Sequence, residues 1–376
     1  MGDRRGEAAS PDLEARVVCR RLQRLGRSDR PRHVAVIRDR FERPLGALRI
    51  SVTDRCNLRC RYCMPAASYR WLPTDSLLTF DEVERVARAF VELGVRKIRL
   101  TGGEPLLRPG LPDLVARLAR LPGLADLALT TNGTRLAEAA EPLRAAGLHR
   151  LTISLDTLDD AAMRALTRHG SPVDVRAGLA AAAAAGFVGT KLNTVVMRDT
   201  NLDQLEGIVR LAAAHRIEPR FIEYMDVGGA LEWEPGQVVP GAEIIAHLAT
   251  AFGGAERLSR GEDPHAPARR WRLGDGTVIG VVTSTTEPFC GACDRSRLTA
   301  DGTWFRCLYA PSGTDLRALL RGGADDVALR RVLRQGWATR EDRGAELRVG
   351  VPDRGALVPL TRLRADPHLE MHVRGG

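Results

Sequence analysis

Long hydrophobic runs are missing from this sequence: nowhere do 18 apolar residues follow one another, and the amino terminus has no apolar signal core. No membrane-spanning helix or secretory leader is therefore expected, and a cytoplasmic protein without a membrane partner is. Aromatic residues are scarce, at 5%, and no spacing of a known nucleic-acid-binding module occurs. Base stacking is thus a poor use for the net charge of +9, and no nucleic-acid partner is expected. Lysine is almost absent: of 56 basic residues only Lys97 and Lys191 are lysines. Cysteines number seven, and six of them fall into two tight groups of three. That odd count and clustering argue against a disulfide framework and for metal ligation in a reducing compartment.

What remains is ordinary globular material. The 376 residues are 44% hydrophobic and 27% charged, enough for two or three domains with a real core. The positive surplus favours an anionic partner, such as a phosphorylated small molecule. Residues 1–40 carry 11 Arg and six acidic residues with weak periodicity and a break at 27–31, which predicts a flexible basic extension. The six carboxylates weigh against a mitochondrial transit peptide. Cys19 lies in this stretch, outside both cysteine groups, and reads as a spare thiol.

From residue 46 to about 250, strands alternate with helices. The first strand is predicted at 48–52. Thr79 and Glu82 form a capping box opening a helix that runs through Leu93 to Gly94, and Lys97–Thr101 follows as a strand. Further strands are predicted near 125–130, 150–155, 188–196 and 217–224, with helices at 134–146, 173–185 and 201–214. Six such units imply a parallel sheet, either open or curled towards a (β/α) barrel, with ligands at the carboxyl ends of the strands. Small, polar or glycine residues follow nearly every predicted strand: Gly102-Gly103-Glu104-Pro105, Thr130-Thr131-Asn132-Gly133, Ser154-Leu155-Asp156.

The first cysteine group is Cys56, Cys60 and Cys63, a C-x3-C-x2-C run in the loop after the first strand. Three thiolates can hold three irons of a four-iron four-sulfur cluster and leave the fourth open to an exogenous ligand. A structural zinc would recruit a fourth ligand, and no His is near. The second group, Cys290, Cys293 and Cys307, again offers three ligands. A cluster, a zinc ribbon with a remote fourth ligand, and free thiols all remain open there. In a chain so biased to arginine, Lys97 and Lys191 on predicted strands suggest positions where a compact ammonium is needed.

The first group, with Tyr62 just before its last cysteine and Gly102-Gly103-Glu104-Pro105 after the next strand, resembles the radical S-adenosylmethionine superfamily. The resemblance narrows to the molybdenum cofactor biosynthesis protein A family, the GTP 3',8-cyclases, and runs from Arg43 to Gly376. Its carriers are Leu48 to Asn57, Cys63-Met64-Pro65, Arg99 to Pro105, Thr131-Asn132-Gly133, Lys191 to Thr194, Phe221 to Met225, Cys290 to Thr299 and Gly375-Gly376.

The resemblance implies an α/β fold: a partial (β/α)6 TIM-type barrel over 41–250, closed by a carboxyl-terminal domain over 251–376 that carries a second iron–sulfur cluster. It implies two 4Fe-4S clusters and S-adenosyl-L-methionine as cofactors, and a 5'-deoxyadenosyl radical that takes the C3' hydrogen of GTP before the sugar radical attacks C8. By matching position, Cys56, Cys60 and Cys63 would hold the first cluster and Cys290, Cys293 and Cys307 the second. Tyr62, Gly103, Ser154, Asn193 and Met225 would line the S-adenosylmethionine site. Arg49, Lys97, Arg99, Thr130, Lys191, Arg220, Arg295, Ser296 and Arg297 would contact GTP, with the Gly375-Gly376 tail reaching into the site. Implied partners are an electron donor such as flavodoxin or ferredoxin, the downstream cyclic pyranopterin monophosphate synthase, and a second copy in a homodimer. Asp294 stands where the family usually has Asn, and Arg374 where an apolar residue is commoner; neither departure removes a ligand. A peptide-modifying enzyme of the same superfamily and a basic zinc-containing nucleic-acid-binding protein are the rival readings.

Overall fold

Apolar and polar residues alternate along the first strand, β1 (Ala47–Ser51): Leu48 and Ile50 are fully buried on one face, while Arg49 points the other way. The computed structural model describes residues 36–66, 68–169, 171–259, 261 and 263–375, so Cys19, most of the expected extension and Gly376 lie outside the described residues. The same alternation recurs in β2 (Lys97–Thr101), where Ile98 and Leu100 are buried opposite Lys97 and Arg99. Between the two strands, helix α1 (Phe80–Glu92) starts where the capping box predicts. Thr79 Oγ1 accepts from the Glu82 backbone at 3.1 Å and Glu82 Oε2 from that of Thr79 at 2.8 Å, satisfying two otherwise orphaned amides. Gly94 follows with φ +112°, which an L side chain rarely adopts.

Strands β3 (Asp126–Thr131), β4 (Arg150–Ser154), β5 (Lys191–Val196) and β6 (Glu218–Glu223) continue the series in parallel, each within a few residues of its predicted place. Helices α2 (Leu111–Ala119), α3 (Leu136–Ala145), α4 (Asp160–Thr167), α5 (Pro172–Ala184) and α6 (Leu205–Ala214) belong to the crossovers. One hydrophobic core joins the outward faces of the strands to these helices, with Leu48, Ile98, Leu127, Leu151 and Leu192 all in it.

The chain beyond α7 (Gly241–Phe252) extends the same sheet at both edges. Strands β7 (Ala255–Arg257), β8 (Arg269–Leu273) and β9 (Val278–Val282) join at β6, with β9 parallel to it. Strands β10 (Arg295–Leu298), β11 (Thr303–Phe305) and β12 (Thr314–Asp315) join at β1, with β10 parallel to it. The result is a twelve-stranded sheet in the order β12-β11-β10-β1-β2-β3-β4-β5-β6-β9-β8-β7, a partial barrel whose sheet is not closed. The carboxyl-terminal part lengthens both edges and does not seal them by hydrogen bonds. Residues 36–40, which the sequence reading assigns to the extension, are folded in: Ile37 and Asp39 are buried. Among the described residues no helix is long and apolar enough to cross a membrane.

Candidate functional site

The first cysteine group occupies the loop after β1, at the carboxyl end of the parallel strands. Its shape is set by close backbone contacts: the Cys63 and Met64 amides both donate to Cys60 O, at 2.9 and 2.7 Å, coiling the loop. The Gly103 and Glu104 amides donate at 2.8 Å to Thr53 O and Arg55 O, pinning the loop after β2 against it. A Cβ on Gly103 would sit 2.3 Å from Arg55 O, so only glycine fits. The buried Glu104 carboxylate accepts from Leu106 N, Thr131 Oγ1 and Asn132 N, and Asn132 reaches Asn57 Oδ1 at 2.9 Å and Cys56 Sγ at 3.9 Å. Glu104 and Asn132 were both visible after predicted strands, yet sequence reasoning gave neither a role.

Cys56, Cys60 and Cys63 are free, half-buried thiols. Burial pushes Cys56 up to about 11 and the other two well above the ordinary thiol range. Thiols held so far from ionisation suit a bound cation, which alone would favour the thiolates. Nearby, Tyr62 donates to Asp156 Oδ2 at 2.7 Å, and Asp156 Oδ1 accepts from Val195 N. Ser154, the last residue of β4, is the register partner of Asn193, the third residue of β5, and Met225 follows β6. The structure thus brings Tyr62, Gly103, Ser154, Asn193 and Met225 to one end of the sheet. Asp156, raised to about 6 by burial against the pull of Tyr62 and Val195, is the member that sequence reasoning missed.

The second group lies at the other end. Cys290 and Cys293 precede β10, which runs parallel to β1, and continuing the β10–β11 register by two residues brings Cys307 level with Arg295. It therefore sits at the amino ends of the strands, where the expectation of ligands gathered at the carboxyl ends does not look. The span of β1 separates the two levels by roughly 13 Å. Cys293 Sγ accepts from Arg295 Nη2 and Cys307 Sγ from Tyr309 N, both at 3.4 Å. Burial raises Cys293, but Arg295 and Arg340 outweigh it and hold the thiol at about 6. Among the described residues no three His, Cys, Asp or Glu side chains converge closely enough for a single metal ion.

Between the two groups the inward face is cationic. Arg297, Arg49 and Arg99 stand side by side across β10, β1 and β2, so three guanidiniums share one row of the inward face. Arg99 donates to Thr130 Oγ1 at 3.0 Å and Thr152 Oγ1 at 2.7 Å. Lys191 faces the same space, with Arg220 one turn of the pleat further on and bonded to Glu218 at 2.8 Å. Burial first, then mutual repulsion, pulls Arg99 to about 9, Arg297 to about 10 and Lys191 to about 7. Burial and the Arg297 and Arg295 charges take Arg49 well below its ordinary range. Loss of hydration is the largest cause in each case and like charge adds to it, so an anion entering the lumen would relieve both. The buried Arg295 Nε and Arg150 Nη1 have no hydrogen-bond partner.

Three predicted contacts stand apart. Lys97 faces the lumen but is paired with Asp263 at 2.5 Å. Ser296 pairs with Leu48, which puts it on the opposite face of β10 from Arg295 and Arg297, fully buried; strand alternation excludes it from the lumen. Gly375 is seated against Thr101, where a Cβ would come within 2.3 Å of Thr101 Cγ2, and its carbonyl accepts from Arg297 Nη1 at 2.6 Å.

Comparison with known proteins matches this arrangement. The Radical SAM superfamily profile covers residues 50–212 and the Molybdenum Cofactor Synthesis C profile residues 217–346. GTP 3',8-cyclase 1 of Mycobacterium tuberculosis (strain ATCC 25618 / H37Rv) is 49% identical over 344 residues, 90% of this chain and 95% of that protein. The chain belongs to the GTP 3',8-cyclase family. Another member, from Acidothermus cellulolyticus, is 50% identical over 322 residues, 83% of this chain and 88% of its own. Among solved structures, Streptococcus suis SuiB bound to S-adenosylmethionine aligns with TM-score 0.54 at 15% identity, over 82% of this chain and 68% of SuiB. At that identity the likeness is one of fold. Membership of the cyclase family makes this a radical S-adenosylmethionine enzyme, and the superfamily implies a 4Fe-4S cluster and S-adenosylmethionine. The three half-buried free thiols of the first loop fit that cluster.

Proposed function

We propose that this protein converts GTP to (8S)-3',8-cyclo-7,8-dihydroguanosine 5'-triphosphate, the first step of molybdenum cofactor biosynthesis. The observation that carries the reading is the cationic lumen of Arg49, Arg99, Lys191, Arg220 and Arg297 between two three-thiol groups. Cys56, Cys60 and Cys63 would hold the first cluster, and Tyr62, Gly103, Ser154, Asn193 and Met225 would line the S-adenosylmethionine site beside it. When bound, that cluster and S-adenosylmethionine supply a 5'-deoxyadenosyl radical that takes hydrogen from C3' of the substrate. Cys290, Cys293 and Cys307 would hold a second cluster, which would supply a Lewis-acidic anchor for the guanine.

The chain's own work is positioning. Arg49, Lys97, Arg99, Lys191, Arg220 and Arg297 bind the triphosphate, each charge-assisted bond contributing roughly 1.5–3 kcal/mol. Lys97 exchanges Asp263 for phosphate. Thr130 orients Arg99, and Arg295 lies between Cys293 and the base. Carbonyls of Arg374 and Gly375 on Arg297 bring the tail to the rim of the nucleotide site. Exposed Arg55 lies in the first cysteine loop and exposed Arg168 donates to Pro65 O at 2.8 Å just beyond it, charges that suit an acidic one-electron donor of the flavodoxin or ferredoxin kind. The product passes to the cyclic pyranopterin monophosphate synthase. The test is to incubate anaerobically reconstituted protein with GTP, S-adenosylmethionine and a strong reductant. Appearance of 5'-deoxyadenosine together with a cyclised nucleotide is expected. 5'-Deoxyadenosine without that nucleotide would overturn GTP as the substrate.

A further inference from the structure

A buried ion cluster lies behind the second cysteine group, and its central residue comes from the stretch that sequence reading set aside. Asp39 is wholly buried, and Oδ2 accepts from Arg43 Nε at 2.6 Å and Arg340 Nη1 at 3.0 Å. Oδ1 accepts from the Phe41 and Arg43 amides at 2.9 and 3.0 Å, so the carboxylate is saturated. The side chains of both arginines are no more than 2% exposed. Trp337 fixes them further: its ring lies 4.5 Å under the Arg340 guanidinium and its Nε1 donates to Arg43 O.

Their remaining donors go to the backbone that carries the cysteines. Arg43 Nη1 donates to Cys290 O at 2.9 Å, Arg340 Nη1 to Cys293 O at 2.9 Å, and Arg340 Nε to Arg306 O, one residue before Cys307, at 3.0 Å. All three ligand-bearing segments are thus tied to one carboxylate 251 or more residues earlier in the chain. The charge does not balance internally: two buried guanidiniums face one buried carboxylate, with Asp342 only at 4.0 Å from Arg340. Arg43 Nη2 is buried without a partner. An excess positive charge in such a place is costly unless an anion adjoins it, and a cluster held by three thiolates would be such an anion.

We propose that Asp39, acting through Arg43 and Arg340, is the positioning residue of the second cluster site, holding the backbone of Cys290, Cys293 and Cys307 in register and setting the counter-charge behind it. This rests on the reading that those cysteines bind a cluster. Outer partners of this kind typically contribute 10–100-fold to metal affinity.

The test uses the full chain and the variants Asp39→Ala, Asp39→Asn and Asp39→Glu. After anaerobic reconstitution, wild type should hold about eight irons and Asp39→Ala and Asp39→Asn about four. Asp39→Glu should recover most of the loss. In the iron-free full chain, alkylation of Cys290, Cys293 and Cys307 should be at least about tenfold faster in Asp39→Ala than in wild type. The first group serves as internal control and should be unchanged. Full iron content with unaltered alkylation in Asp39→Ala would overturn the proposal. Equal exposure of both cysteine groups would also overturn it, by making Asp39 a general folding residue. Four irons in the wild type would instead refute the second cluster, and the alkylation contrast would still decide what Asp39 positions.

Discussion

Lys191 shows how a single side chain can report on the lumen. Burial, then Arg220, Arg150 and Arg99, pull its ammonium to about 7, against the opposing pull of Glu218. A bound triphosphate reverses that balance and returns the group towards its ordinary value near 10.4. Above pH 7 GTP binding must therefore take up a proton, and affinity should fall as pH rises, by up to about tenfold per unit. Calorimetry at pH 8 in two buffers of different ionisation enthalpy measures the uptake directly. Lys191→Ala should abolish it and weaken GTP binding by roughly 1.5–3 kcal/mol while leaving S-adenosylmethionine binding unchanged. An unaltered GTP affinity would reduce Lys191 to a lysine at the edge of the core. Its neighbours were legible for the same reason it was, being charged residues in otherwise apolar strands. Ser296 was not, because a shift of one residue along a strand reverses the face, and nothing in the run Arg295-Ser296-Arg297 states which residue points inward.

Whole elements were legible where the signal is local. Helix α1 carries its own capping box and terminal glycine, and the six central strands carry alternation within five or six residues. The pairing of β9 with β6 and of β10 with β1 has no local signal, since each joins segments far apart in sequence. That pairing places the second cysteine group, so its position at the amino ends of the strands was out of reach as well. The carboxyl-terminal tail is held by an element-scale contact of the same long-range kind. His368 bonds Asp301 Oδ2 at 2.7 Å and Asp366 Oδ1 at 3.0 Å, and its pKa is raised chiefly by Asp301, against some burial. Asp301, which burial would raise, is lowered by His368 and by Thr299, with Arg317 adding to the pull. A raised His stabilises the docked tail fully below its ordinary value near 6.5 and loses that contribution as pH climbs through the raised one. The lowered Asp301 contributes above about 4 and loses it as pH falls further. Hydrogen exchange in 367–375 should therefore be slowest between about pH 4 and 6.5 and quicken above, relative to the intrinsic rate. In His368→Gln that upper rise should vanish; an identical profile in the variant would exclude His368 as the tail's titrating contact.

On the scale of the whole molecule, the chain is one sheet with a cysteine group at each end and a cationic space between. Where the functional body begins follows from Asp39: a chain starting at Val36 should bind iron and turn over GTP like the full chain, whereas one starting at Phe41 should lose the second cluster and with it GTP cyclisation. Equal iron content in the two truncations would contradict this. The two ends also divide the reaction. If the first group generates the radical and the second holds the guanine, Cys56→Ser should abolish S-adenosylmethionine cleavage altogether, because the chelating iron and its electron path are lost. Cys293→Ser leaves that end intact, about 13 Å away along β1. Slow, uncoupled formation of 5'-deoxyadenosine should then persist with a strong reductant while the cyclised nucleotide disappears, since C3' is no longer held in place and a displacement of about 1 Å can cost roughly a hundredfold. Iron falls in both variants, so the product pattern is the deciding measurement. Normal cyclisation by Cys293→Ser would refute substrate anchoring at the second group. Equal and total loss of cleavage in both would instead make the second group part of the electron path or of folding.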